Sequence, residues 1–239
     1  MFAQDIKTQS VRDFVFPIGT VENGLFTLNG TAFFIGGDGV AVTAGHVCRD
    51  LATGNDPVAL FATENGFFPI RVLDFEQHPN EDVAVIKLEG SWHSIIEVSV
   101  ASENASCEYE LWGYPERVAH EIRSSARNAE DAANAVRPDL IYNKGYVRRR
   151  ISQPMPVSVY TGECFYELSE VAGSCCSGAP VIKRQRTPGP WRAFGGYIGE
   201  ETASGHNSVG FSTRFDAIAS WIPRLVGVPL GDVKATVRS

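Results

Sequence analysis

Short apolar runs, broken by glycine, asparagine, aspartate and proline, dominate the chain. Runs rich in branched and aromatic side chains and bounded by such breakers read as strands. A first set covers 14–18, 25–28, 31–35, 40–44, 58–63, 67–73 and 83–88. Gly36-Gly37-Asp38-Gly39 lies between two of these runs and predicts a hairpin, because its residues tolerate positive φ. A second set covers 108–113, 144–150, 164–168, 179–183, 192–198 and 208–212. Residues 99–106 read as the junction, so the expected parts are 1–100 and 101–239. Many short strands at this spacing suit a sandwich or a barrel.

Two segments depart from the strand pattern. Residues 116–136, with the run SARNAEDAANAV, read as a helix or a mobile insertion that ends before Pro138. Residues 215–225, FDAIASWIPRL, read as a short amphipathic helix weakened or ended near Pro223. The tail after Val226 is expected to be extended and loosely held. No internal repeat is visible.

Composition narrows the class. The chain has 239 residues, 44% hydrophobic and 21% charged, which is ordinary globular composition with room for a sizeable core. A formal charge of -7 argues against nucleic-acid binding, which depends on clustered lysine and arginine. The one basic run, Arg148-Arg149-Arg150, is short and reads as a solvated turn or strand end rather than a partner contact. No stretch approaches the roughly 20 apolar residues of a membrane span. The N-terminal MFAQDIKTQSVRDF lacks the basic start and apolar core of a signal peptide, so a cytoplasmic location is expected. Five cysteines, an odd number without a small-scaffold spacing, read as reduced thiols. No His/Cys spacing completes a zinc site, and neither metal nor cofactor is expected.

Three phrases carry the candidate chemistry: TAGHV around His46, NEDVAVIKL around Asp82 and CCSGAP around Ser177. They supply a base, a carboxylate to orient it and a hydroxyl nucleophile, which acyl transfer requires. Each has a neighbour or a bland rival. Glu81 stands beside Asp82, but the alternation of Val83, Val85, Ile86 and Leu88 favours Asp82. Cys176 precedes Ser177, but the following Gly-Ala-Pro favours Ser177. His78, His93, His120 and His206 lack comparable context and read as surface residues.

In these motifs the chain resembles the trypsin-like (chymotrypsin-fold) serine peptidases of compact bacterial type. The resemblance runs from about Gly30 to Ile222. GTAFFIGGDGVAVTAGHV is similar to the family's glycine-rich hairpin and T-A-[AG]-H. HPNEDVAVIKL resembles the strand carrying the buried aspartate, and GSCCSGAPVI the nucleophile loop. LWGYP, AFGGYIGE and SVGFSTRFDAIASWI resemble the start of the second barrel, the specificity strands and the closing helix. The resemblance implies an all-β fold of two packed six-stranded antiparallel barrels, with a helical insertion and a C-terminal helix. It implies a serine endopeptidase acting on a protein or peptide substrate through an acyl-enzyme.

By the same resemblance, His46, Asp82 and Ser177 are catalytic, and the backbone N–H groups of Cys175 and Ser177 form the oxyanion hole. Cys175 stands where the family normally has glycine, a position that often needs a conformation easiest for glycine. Val171 stands where trypsin has an aspartate. Val171, Ala172 and Gly210 then imply a small apolar pocket floor, with Gly199, Glu200 and Glu201 beside the cleft. Either glutamate would attract a basic side chain if it turned inward. Without a secretion signal, a restricted or gated activity is expected, with an activating protein partner as one route. Two other classes remain open: an inactive pseudo-peptidase that binds protein, and a thiol sensor built on Cys175 and Cys176.

Overall fold

The computed structural model describes residues 10–23, 25–63, 66–119, 140–154, 160–183, 189–201 and 208–236. Six strands form the first sheet: β1 (Val15–Glu22), β2 (Leu25–Phe34), β3 (Val40–Thr43), β4 (Pro57–Thr63), β5 (Gly66–Gln77) and β6 (Ala84–Leu88). They close into a barrel in the order β1-β2-β3-β6-β5-β4, all antiparallel. Closing a small barrel demands a strong bend, and the β1–β2 pair supplies it at a bulge: Ile18 pairs with Gly30 and Gly19 with Leu28, so Asn29 of β2 is the extra residue. A Cβ on Gly19 would lie 1.9 Å from the Thr27 carbonyl oxygen, so only glycine fits that bend.

The second sheet contains β7 (Ile96–Val98), β8 (Glu108–Gly113), β9 (Ile141–Ser152), β10 (Cys164–Leu168), β11 (Pro180–Lys183), β12 (Trp191–Glu201) and β13 (Val209–Arg214). Its order is β11-β8-β9-β10-β13-β12-β7, and β11 also pairs with β12. Six strands therefore close into a second barrel, and β7 lies parallel on the outside of β12. The second sheet thus begins upstream of the junction read at 99–106.

Apolar clusters join the two barrels. Phe16, Ile18, Ala44 and Val47 of the first pack in one cluster with Ile151, Phe165, Ile198 and Phe211 of the second. Val42 and Val83 share another with Ile182, Phe215 and Ile218. A third belongs to the second barrel and includes Tyr109, Tyr166, Phe194 and Tyr197. Residues from both sheets therefore meet along one seam, and the site residues lie on it.

Several sequence expectations change. The runs read at 25–28 and 31–35 join in one strand, Leu25–Phe34, because Gly30 stays in the ladder opposite Ile18 and Asn29 is taken up as a bulge. Helix α1 (Gly45–Thr53), absent from the strand reading, buries Val47, Cys48 and Leu51. The C-terminal helix α2 spans only Phe215–Ile218. Beyond it the chain turns, with the Trp221 N–H on the Ile218 carbonyl. The tail is held rather than loose: Leu230 is fully buried, and the Thr236 hydroxyl donates to the Gly36 carbonyl. Of the segment read as a helical insertion, Glu116–Val118 form a single 3₁₀ turn, and 120–136 lie outside the described residues. The basic run lies within β9, where Arg148 and Arg149 pair with Glu167, and Arg150 with Asp216. Among the described residues no helix is long and apolar enough to cross a membrane.

Because Leu230 packs into the cluster shared by both barrels, Leu230→Ala should destabilise the protein by about 2–5 kcal/mol. Urea unfolding measures it. A change within about 0.5 kcal/mol would show the tail to be a loose appendage.

Candidate active site

The site begins where β3 gives way to α1. Gly45 has no side chain, and a Cβ there would lie 2.8 Å from Asp82 Oδ1. That space lets the carboxylate reach His46 twice. Oδ1 accepts the His46 backbone N–H at 2.7 Å, and Oδ2 lies 2.8 Å from the ring Nδ1. The Asp82 side chain is 1% exposed and that of His46 30%. A buried carboxylate is costly unless donors surround it, and both contacts serve that need. An imidazole that donates Nδ1–H to a carboxylate keeps its second nitrogen, Nε2, for other chemistry. The second barrel holds this segment as well, through a 3.2 Å bond from the Thr213 hydroxyl to the Asp82 carbonyl.

Glu81 turns the other way. Its carboxylate accepts the backbone N–H groups of Glu163 and Cys164 at 3.2–3.3 Å, and burial pushes its pKa up. It ties the Asp82 turn to the segment carrying Tyr160. The Tyr160 ring sits 6.4 Å from the His46 ring, and its hydroxyl donates to the Glu200 carbonyl. No strand or motif signal marks this tyrosine in the sequence. His78 and His93 are half-buried rather than on the surface. His78 Nδ1 accepts two backbone N–H groups of its own turn, and burial lowers its pKa. His120 and His206 lie outside the described residues.

The nucleophile turn is tightly wound, with positive φ at Gly173, Cys175 and Gly178. A Cβ on Gly178 would lie 2.1 Å from the Thr31 carbonyl oxygen and 3.0 Å from the Ala44 nitrogen. Glycine therefore brings the turn against the first barrel, two residues from His46. Thr31, fully buried in β2, holds the turn with its N–H and its hydroxyl. Its N–H donates to the Ser177 carbonyl at 2.8 Å and its hydroxyl to the Cys175 carbonyl at 3.1 Å. The hydroxyl accepts the Tyr114 N–H at 3.0 Å, and the Thr31 carbonyl accepts the Thr43 hydroxyl. Within a β pattern a threonine reads as an ordinary strand residue, so sequence reasoning passes over it.

Cys175 has φ +67°, a left-handed conformation that costs a non-glycine residue on the order of 1–3 kcal/mol. The Ser174 carbonyl accepts the Glu116 N–H at 2.8 Å. In a trans peptide the carbonyl and the next N–H point to opposite sides, so the Cys175 N–H faces away from Glu116. The Ser177 N–H donates to no protein group among the described residues. The Ser177 hydroxyl, however, donates to the Ile198 carbonyl at 3.1 Å and not to His46. Cys176 is 1% exposed, bonded to the Ala172 carbonyl, and its thiol is pushed up to about 12 by burial. A thiol so held is a poor nucleophile and a poor redox sensor.

The pocket walls differ from the small apolar floor expected. Val171 is exposed, and the buried Tyr197 ring lies across Gly210, 3.0 Å from where a Cβ would stand. Its hydroxyl accepts the Ala172 N–H. Gly199 lies under Tyr160, Glu200 turns inward and Glu201 is exposed. Among the described residues no group of three His, Cys, Asp or Glu is placed to hold a metal ion.

No family model matches the chain, and no curated protein matches it at a significant level. Solved structures do. The MamO protease domain from Magnetospirillum magneticum, in its apo form, superposes with a TM-score of 0.61 at 16% identity. The match covers 89% of this chain and 97% of that one. The active form of the Rv3671c protease from M. tuberculosis gives 0.61 at 16% identity, over 95% and 87% of the two chains. The HtrA-type protease AlgW with a decapeptide gives 0.57 at 13%, over 85% and 61%. At these identities the likeness is one of fold: the chain has the chymotrypsin-like double barrel of serine proteases.

Thr31→Val keeps the shape but strips the Cys175 carbonyl and the Tyr114 N–H of their buried partner. The expected loss is about 1–3 kcal/mol in chemical denaturation. Thr31→Ser, which keeps the hydroxyl, should retain most of that stability. A loss in Thr31→Ser with none in Thr31→Val would show that the methyl group, not the hydroxyl, matters.

Proposed function

We propose that this protein is a serine endopeptidase that cleaves protein or peptide substrates through an acyl-enzyme. The observation that carries the reading is the His46–Asp82 pair beside the wound turn that bears Ser177. In this reading the Ser177 hydroxyl rotates about its Cα–Cβ bond, leaving the Ile198 carbonyl for His46 Nε2 as the substrate carbonyl enters. His46 takes the hydroxyl proton while the oxygen attacks that carbonyl. Asp82 keeps the ring in the right tautomer and stabilises the imidazolium that forms. The N–H groups of Ser177 and Cys175 face the negative oxygen, each worth about 3–4 kcal/mol when well aimed. His46 returns the proton to the leaving amine, and water then repeats the sequence on the acyl group.

The resting contact of Ser177 with Ile198 supports a gated activity. Glu116, which holds the Ser174 carbonyl and so helps set the Cys175 N–H, opens the segment 116–136. A protein partner that binds this segment would act through Glu116 on the oxyanion donors.

A second reading has one observation in its favour. The same Ser177–Ile198 bond, with a strained cysteine in place of glycine, suits a binding module that does not hydrolyse.

Reaction of the purified protein with a fluorophosphonate, followed by intact mass, decides between them. The expected result is one adduct, absent in Ser177→Ala, retained in Cys176→Ala and slowed at least about a hundredfold in His46→Ala. A folded protein that takes no adduct, alone or with candidate partners, would leave the binding module as the reading.

A further inference from the structure

Three acids turned inward among the described residues are matched by lysine or arginine, and Asp82 by His46. Glu103 has Lys183, Glu167 has Arg148 and Arg149, and Asp216 has Arg150 and Arg214. Glu81 instead has backbone N–H donors on both oxygens. Glu200 is different. It follows Ile198, whose carbonyl holds Ser177, by two residues, and its side chain is half-buried. Oε2 accepts the Gly173 N–H and the Tyr197 hydroxyl, both at 3.3 Å. Among the described residues Oε1 accepts no hydrogen bond, and no lysine or arginine forms an ion pair with it. One oxygen is therefore anchored on the turn that carries Ser177, and the other is left open.

Tyr197 explains why the carboxylate sits where it does. The ring fills the space above Gly210, and the hydroxyl bridges Ala172 and Glu200. Between 171–173 and β12 the buried phenol therefore fills the depth, and the carboxylate anchored on Gly173 lies above it, where a substrate side chain would meet it at the rim. The substrate side chain nearest to Ser177 is that of the residue whose carbonyl it attacks.

The geometry points to Glu200 as the residue that selects a basic side chain, arginine or lysine, on that substrate residue. A guanidinium suits the site best, since its fork takes two acceptors at once, here the two oxygens of the Glu200 carboxylate. The inference rests on Ser177 being the nucleophile, as proposed above. It replaces the deep acidic floor that Val171 rules out with an acid set at the rim.

Peptidyl diphenyl phosphonates carrying lysine, arginine, alanine or glutamate side chains test it through their rates of covalent labelling, read by intact mass. A fluorophosphonate without a side chain runs in parallel on every variant. Wild type should label with the lysine and arginine probes at least about tenfold faster than with alanine, and slowest with glutamate. Glu200→Gln should cut the lysine-to-alanine ratio about tenfold, and Glu200→Lys should invert the order in favour of glutamate. Fluorophosphonate labelling of Ser177 with a flat side-chain profile, or with a ratio unmoved in both variants, overturns the role of Glu200 alone. Absence of any fluorophosphonate adduct on wild type overturns the peptidase reading, and this inference with it.

Discussion

The cleft depends on hydrogen bonds that cross between the two barrels, and Thr31 makes the most consequential of them. A sharp turn from one barrel must lie against a strand of the other, where water cannot reach its carbonyls. Buried carbonyls without partners would cost more than the contact returns. Thr31 meets this with its N–H on Ser177 and its hydroxyl on Cys175. The turn is thereby fixed against β2, and Gly178 has no side chain to push it away. With the Cys175 and Ser177 carbonyls anchored on Thr31 and the Ser174 carbonyl on Glu116, the turn is held from both sides.

The same constraint governs the acids. Asp82 is buried because a carboxylate screened by water would hold His46 weakly, and it is tolerated because two His46 N–H groups meet it. Glu81, its sequence neighbour, is half turned into the seam, where backbone N–H groups receive it. Two adjacent acids thus take opposite directions, one to the base and one to the second barrel. Glu200 is the acid beside the cleft that keeps an oxygen open.

The turn also stores strain. Cys175 occupies a left-handed conformation that glycine adopts freely, and its φ of +67° is maintained by bonds to the carbonyls on either side of it. Its side chain lies near the Leu28 carbonyl in the first barrel. The position is therefore over-determined by neighbours rather than by its own preference. That is the condition under which a disfavoured backbone persists next to chemistry.

Much of the architecture was legible because it is periodic. Apolar runs marked most strands, β8 and β10 to the residue: burial alternates along β8 and runs continuously through β10, and both leave a direct trace. The short motifs around His46, Asp82 and Ser177 were legible because close approach and tight turns demand particular residues, Gly45 and Gly178 among them. Helix α1, β7 and the anchored tail were not, because each is held by residues distant in the chain rather than by a local pattern. The direction of the two glutamates after Gly199 was equally closed to sequence. A side chain's facing depends on what lies across the cleft, here Gly173 and Tyr197. The order of residues determined which groups exist and roughly which elements carry them. Only the packing of one barrel on the other decided that Tyr197 fills the pocket, that Thr31 holds the turn, and that Ser177 rests on Ile198. Those outcomes follow from satisfying buried polar groups across a seam that no local window of sequence contains.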